Sequence, residues 1–267
     1  MDNKPLLQLE GLRVGFGQRG QLRDVLHGLD LRISRGEAVG LVGESGSGKS
    51  VTALAIMGLL GRHGAVTGGR ILFDGRDLAQ LPEATMRTVR GKEISMIFQD
   101  PTTALNPAFT IGTQLLDVML THRPLSAAVA RKEALELLDQ VGFQDPARVL
   151  RSYPHELSGG MRQRAMIAMA VSCRPKLVLA DEPTTALDVT VQAQIVELLR
   201  RLVKELDLGL LFITHNLDLM GELCGRAVVL LRGDVVEQGS AADLFEQPRH
   251  PYTRMLFDSI PRLELAP

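Results

Sequence analysis

Eight residues, Gly43-Glu44-Ser45-Gly46-Ser47-Gly48-Lys49-Ser50, constrain this chain more than any other feature. They fit the phosphate-binding pattern of Gly, four residues, Gly, Lys, and Ser or Thr, between an apolar run at 37–42 and a helical apolar pattern at 50–60. A strand must deliver the chain into such a loop and a helix must leave it. The glycines let backbone amides converge on an anion, and the helix start adds positive potential there. Lys49 supplies a cation for the β- and γ-phosphates, and the Ser50 hydroxyl supplies an oxygen for magnesium. Val51 follows in the first helical turn. A dinucleotide fingerprint fits less well, because Lys49 and Ser50 stand where a third small residue belongs.

Around this loop the pattern alternates. Short apolar runs at 37–42, 176–181 and 208–214 predict strands covered on both faces. Helical spacing at 50–60 and 189–206, the latter after an N-cap at Asp188, predicts helices between them. The fold class is therefore α/β with a mixed β core. Leu7, Leu9, Leu12 and Val14, with Ile71-Leu72-Phe73 turning at Asp74-Gly75, predict an antiparallel β subdomain at the edge. Pro101, Pro107 and Pro124, then an amphipathic helix at 126–141 ended by Gly142, predict a helical insertion. The expected division is a nucleotide-binding core at 1–99 and 165–239, a helical subdomain at 100–164, and a tail at 240–267. A hairpin is expected around Arg232-Gly233-Asp234, with a short Pro-containing tail after it.

Leu177-Val178-Leu179-Ala180-Asp181-Glu182 ends an apolar strand on two carboxylates. Asp181 can reach a metal through water, while Glu182 emerges where it can orient or deprotonate an attacking water. On its own the pair also reads as a solvated turn before Pro183. Ser158-Gly159-Gly160 opens another helix with a hydroxyl and bare amides, a second anion site. One phosphate chain does not need two such sites in one subunit, so this predicts a dimer; without the other motifs, Ser158 is an ordinary N-cap.

With these motifs in place, the chain resembles the ATP-binding cassette ATPase of a membrane transporter over nearly its whole length. Leu157 to Met161 resembles the family signature, Gln99 the Q-loop, Ala186-Leu187-Asp188 the D-loop, and His215 the switch histidine. The resemblance implies ATP and Mg2+ as ligands, sandwiched between the phosphate loop of one subunit and residues 158–160 of another. It implies that Glu182, His215, Lys49 and Gln99 carry catalysis, with Ser50, Gln99 and Asp181 toward magnesium. Phe16, expected in a glycine-rich loop after the first strand, is the candidate for stacking on adenine. Met161, Met166 and Met169 read as packing, and the remaining histidines show no metal-ligand spacing.

Gln99-Asp100-Pro101 through Asn106-Pro107, Met161-Arg162-Gln163-Arg164 and His250-Pro251-Tyr252-Thr253-Arg254 resemble the ATPases of dipeptide, oligopeptide and nickel importers. That implies two integral-membrane permeases, a second homologous ATPase in a heterodimer, and indirectly an extracytoplasmic substrate-binding protein. It places the chain peripherally on the cytoplasmic face of the inner membrane. Many relatives carry a cysteine-rich extension; Cys173 and Cys224 are the only cysteines here, neither lies in the tail, and an iron–sulfur cluster is not expected. Among 267 residues, 30 Lys and Arg balance 31 Asp and Glu, a net charge of −1, so nucleic acid is not an expected partner. The longest uncharged apolar run of the N-terminal half, 50–61, is too short for the roughly 20 residues of a span, and the Met1-Asp2 start carries no targeting signal. The rival readings are a soluble cassette ATPase of DNA repair or translation, and a nucleotide-gated regulatory module, which intact Glu182 and His215 disfavour.

Overall fold

The computed structural model describes residues 4–18 and 21–258. The Met1-Asp2 start and the end of the tail at 259–267 lie outside the described residues. In chain order come β1 (Leu7–Gln18), β2 (Gln21–Ile33), β3 (Ala38–Val42), α1 (Lys49–Ile56), β4 (Gly64–Phe73), β5 (Arg76–Asp77), α2 (Glu83–Val89), β6 (Ile94–Ile97), α3 (Pro101–Ala104), α4 (Ile111–His122) and α5 (Ala127–Gln140). They are followed by α6 (Pro146–Arg151), α7 (Gly159–Val171), β7 (Leu177–Asp181), α8 (Val189–Leu206), β8 (Gly209–Thr214), α9 (Leu217–Leu223), β9 (Arg226–Leu231), β10 (Asp234–Ser240), α10 (Ala241–Glu246) and α11 (Pro251–Asp258).

Described residues up to Gln80 and from Leu211 onward form one compact unit. Its first layer is an antiparallel sheet of order β2-β1-β4-β5. Alternation along β1, reset by a bulge between Leu9 and Leu12 where Gly11 takes φ 54°, drives Leu7, Leu9, Leu12 and Val14 inward, where they meet Leu26, Leu29, Ile33, Ile71 and Phe73, all essentially inaccessible. The second layer places β9 antiparallel to β10 and parallel to β3, with β8 on the other flank of β3. All five residues of β3 are buried, as the unbroken apolar run required. Both predicted tight turns use paired left-handed residues, Asp74 and Gly75 at φ 50° and 81°, Arg232 and Gly233 at 49° and 88°. That is the turn whose twist suits a two-residue hairpin.

The second unit, Leu81–Leu210, holds the parallel pair β6 and β7 and the helices α2 to α8. Here α4, α5, α6 and α7 pack on one another, and α3 packs on α7. Polar side chains cap these helices at their N-termini: Asp100, Thr110, Ser126, Asp145, Ser158 and Asp188 each accept a backbone N–H two or three residues on. The stretch predicted as helical, 100–164, falls inside this unit, which also takes in 81–99 and 165–210.

Two local expectations need correction, at the end of α1 and at Phe16, and the tail holds elements that its sequence pattern left unassigned. The helix after the phosphate loop stops at Ile56, because Gly58 enters the left-handed region at φ 63°. The tail after Ser240 contains two helices, α10 and α11, whose apolar residues Leu244, Tyr252 and Phe257 are buried. Phe16 lies inside β1, since that strand stays paired to both neighbours there, opposite Arg23 and Gly64.

Phe73 is fully buried, so Phe73→Ala is expected to cost about 3–5 kcal/mol, read as a lower urea midpoint. Burial pushes the Cys224 thiol up to about 12 and raises that of Cys173 as well. At pH 8 both are expected to resist a thiol reagent in the folded protein and to react once it is unfolded, measured by absorbance of the released thiolate.

Candidate functional site

The loop between β3 and α1 folds back on its own lysine. Lys49 is only 5% exposed, and an ammonium out of water must be given acceptors. Its Nζ donates to Gly43 O at 2.8 Å and Glu44 O at 3.0 Å. Closing that ring bends the backbone through Gly43, Gly46 and Gly48, at φ 150°, 80° and 107°, conformations that favour glycine. The amide of Ser47 donates to Glu44 O at 3.2 Å, tightening the curl.

Two partners distant in sequence hold the loop within the same unit. The Gly233 amide, in the β9–β10 turn, donates to Ser47 O at 2.9 Å. A side chain at Gly233 would meet Val25 O at 2.1 Å, so only glycine reaches this position. On the other side, the Glu44 amide donates to the Tyr252 hydroxyl of α11 at 2.9 Å. Burial raises the pKa of that hydroxyl, which keeps it protonated. Neither contact was expected from the sequence, because turn and helix signals are local while both partners arrive through the tertiary fold.

The loop is built for an anion. Where most other helices carry a side-chain cap, α1 begins at Gly48 with none, so no side chain at the cap stands between the helix start and an anion. Ser47 Oγ is buried and finds no hydrogen-bond partner among the described residues. Space is open where a side chain at Gly46 would point. Glu44 and Ser45 are exposed, Ser50 and Val51 half-buried.

In the second unit, β7 ends on Asp181, 7% exposed, and Glu182 turns into the left-handed region at φ 45°. For a non-glycine residue that costs about 1–3 kcal/mol and is typical of functional positions. The Glu182 carboxylate accepts Gln99 Nε2 at 3.2 Å and Thr185 Oγ1 at 2.9 Å through one oxygen, Oε2. The structure thus joins two residues predicted for catalysis, and adds Thr185, three residues beyond Glu182. Gln99 is exposed at the end of the segment that follows β6.

Ser158 and its glycines lie where expected, at the start of α7, with Ser158 Oγ accepting the Met161 amide at 3.3 Å. The two glycines serve different ends. A side chain on Gly160 would press on Val191 at 2.8 Å, whereas on Gly159 the nearest atom is 3.7 Å away. Asp188 caps α8 through the Val191 amide at 3.0 Å, and the next residue, Val189, is 82% exposed. His215 is exposed between β8 and α9 in the first unit.

The oxygen donors proposed for magnesium, Ser50, Gln99 and Asp181, match the preference of a hard cation. Among the described residues no group of three His, Cys, Asp or Glu could hold a metal by itself.

Residues 26–185 match the profile of the family described as ABC transporter, and residues 236–266 that of the oligopeptide/dipeptide transporter C-terminal region. A putative peptide import ATP-binding protein of Brucella abortus is 49% identical over 98% of this chain and 80% of its own length. The dipeptide transport ATP-binding protein DppD of Bacillus subtilis is 48% identical over 97% of this chain and 78% of its own. Among solved structures, the ATP-binding cassette MJ0796, a dimer in a post-hydrolysis state with ADP and phosphate, superposes with a TM-score of 0.77. It is 29% identical, covering 88% of this chain and 98% of that one. The chain belongs to the ABC transporter family, as one of its ATP-hydrolysing cassettes.

Proposed function

We propose that this chain is the ATP-hydrolysing subunit that powers a bacterial importer of peptides. The observation that carries the reading is the match of residues 236–266 to the oligopeptide/dipeptide C-terminal region, on a chain whose residues 43–50 form an anion-ready loop. Nickel and metal chelates were the other cargo expected, but neither relative above is named for them. A soluble cassette of DNA repair or translation is not favoured, since both relatives are named for import or transport.

In this reading the amides of residues 43–51 and the Lys49 ammonium bind the phosphates of ATP, with Phe16 toward adenine. Lys49 exchanges its loop carbonyls for phosphate oxygens, a charge-assisted contact stronger than the one it leaves. Ser50, Gln99 and Asp181 would hold magnesium, which when bound supplies charge neutralisation at the β- and γ-phosphates. Glu182 orients the attacking water, and its left-handed backbone aims the carboxylate while Gln99 and Thr185 hold it. His215 contacts the γ-phosphate end. Ser158, Gly159, Gly160 and Asp188 serve the nucleotide of a second, homologous cassette, and closure of the pair drives two permeases fed by a substrate-binding protein. No helix among the described residues is long and apolar enough to cross a membrane, so attachment to the inner membrane is assigned to the permeases.

Glu182→Gln is expected to retain ATP affinity by calorimetry while steady-state turnover falls about 10²- to 10⁴-fold. Unchanged turnover would remove Glu182 from its role. Lys49→Ala is expected to weaken ATP binding itself by at least about tenfold, and normal affinity would contradict the loop assignment. The transport reading is tested by recovering tagged Glu182→Gln protein from gently solubilised membranes of its native cell with ATP and magnesium. Two permeases and a second ATPase should come with it; recovery only from the soluble fraction, with ribosomes or DNA-processing proteins, would overturn the importer.

A further inference from the structure

The peptide unit joining Gly43 to Glu44 is gripped at both polar ends. Its oxygen, Gly43 O, accepts from Lys49 Nζ at 2.8 Å, and its N–H, on Glu44, donates to Tyr252 Oη at 2.9 Å. Lys49 belongs to the loop, whereas Tyr252 comes from α11, 208 positions away from Glu44.

The hydroxyl stands on a firm support. Tyr252 is 8% exposed. The turn leading into α11 is tied to β10, because the Glu237 carboxylate accepts the amides of Arg249 at 2.8 Å and His250 at 3.0 Å. His250 Nδ1 in turn accepts the Tyr252 amide at 3.2 Å. Toward the far end of the helix, Phe257 meets Phe245 of α10 edge-on, with ring centroids 4.5 Å apart. Every one of these groups lies in the unit that contains the loop.

We propose that Tyr252 is a positioning residue for ATP: its hydroxyl fixes the Gly43–Glu44 peptide plane, so that the loop keeps its phosphate-ready shape when Lys49 leaves the loop carbonyls for the nucleotide. The proposal rests on the ATP-binding reading of residues 43–51. Its physical need follows from the two grips. A peptide that follows a glycine rotates readily, because no Cβ restricts it. While Lys49 lies on Gly43 O and Glu44 O, its ammonium orients that peptide. Once the ammonium turns to a phosphate, the carbonyl end is released and the hydroxyl still holds the amide end. Gly233 meanwhile anchors the later half of the loop at Ser47 O. The C-terminal region thereby has a task inside the ATPase: a displacement of α11 is passed to the entry of the phosphate loop.

The test uses the full chain and Tyr252→Phe, which removes the hydroxyl and keeps the ring. For the variant, the Kd of MgATP by calorimetry and the KM for ATP are expected to rise about three- to tenfold, the worth of one such hydrogen bond. Turnover at saturating ATP should stay within about twofold, the hydroxyl being no partner of the reacting atoms. In the nucleotide-free protein the Glu44 amide, followed by NMR hydrogen exchange, should exchange faster by a comparable factor while amides of β7 do not change. Wild-type Kd, KM and Glu44 exchange in the variant would overturn the proposal. So would a fall in kcat with KM unchanged, accompanied by a lower melting temperature, since that is the mark of general structural damage. Failure of the unsubstituted chain to bind ATP would remove the ATPase reading and this proposal with it, and is distinguished by appearing before any substitution.

Discussion

The buried ammonium of Lys49 is the interaction around which the first unit is arranged. A charge with so little access to water must be surrounded by oxygen, and two of the oxygens it finds are carbonyls of its own loop. Satisfying it curls residues 43–48 into a ring, which demands glycine where φ is positive and leaves the start of α1 without a cap of its own. The same ring brings Ser47 O to the β9–β10 turn and the Glu44 amide to α11. A loop that in isolation would be mobile is thus closed on its own lysine and tied to two distant points of one unit before any ligand arrives. Such preorganisation lowers the ordering cost that a bound phosphate chain would otherwise have to meet.

A different constraint shapes the second unit. There the chain must leave a fully buried strand, β7, and present a carboxylate at once. It does so by placing Glu182 in a left-handed conformation that its side chain disfavours, then offsetting the strain with hydrogen bonds from Gln99 and Thr185. The Gln99 contact spans 83 positions and links the end of the β6 segment to the end of β7, two strands that pair in parallel. Their shared register carries both residues to the same edge.

Much of this was legible in the sequence, wherever the cause is local. Strands β3, β7 and β8 announced themselves as short, nearly continuous apolar runs, and the start of α8 was set by the Asp188 cap. Asp74-Gly75 and Arg232-Gly233 marked two-residue turns. The places that misled are those where neighbours overrule the local signal. Glycines around Phe16 read as a loop, yet pairing to β2 and β4 holds it in a strand. In the short Pro-containing tail after Ser240 the helices were left unassigned, and Pro251 sits at the first position of α11, where a missing N–H costs nothing.

By itself the sequence determined the phosphate-loop chemistry, the acidic strand end and the order of motifs, because each is a short pattern whose atoms act on their immediate neighbours. Only the tertiary structure decided that Gly233 and Tyr252 hold that loop and that Gln99 reaches Glu182. Those contacts depend on turns and helices far apart along the chain arriving within hydrogen-bond distance. Burial of apolar faces such as those of β1, β3 and α11 brings them there, and no local residue pattern encodes so distant a meeting.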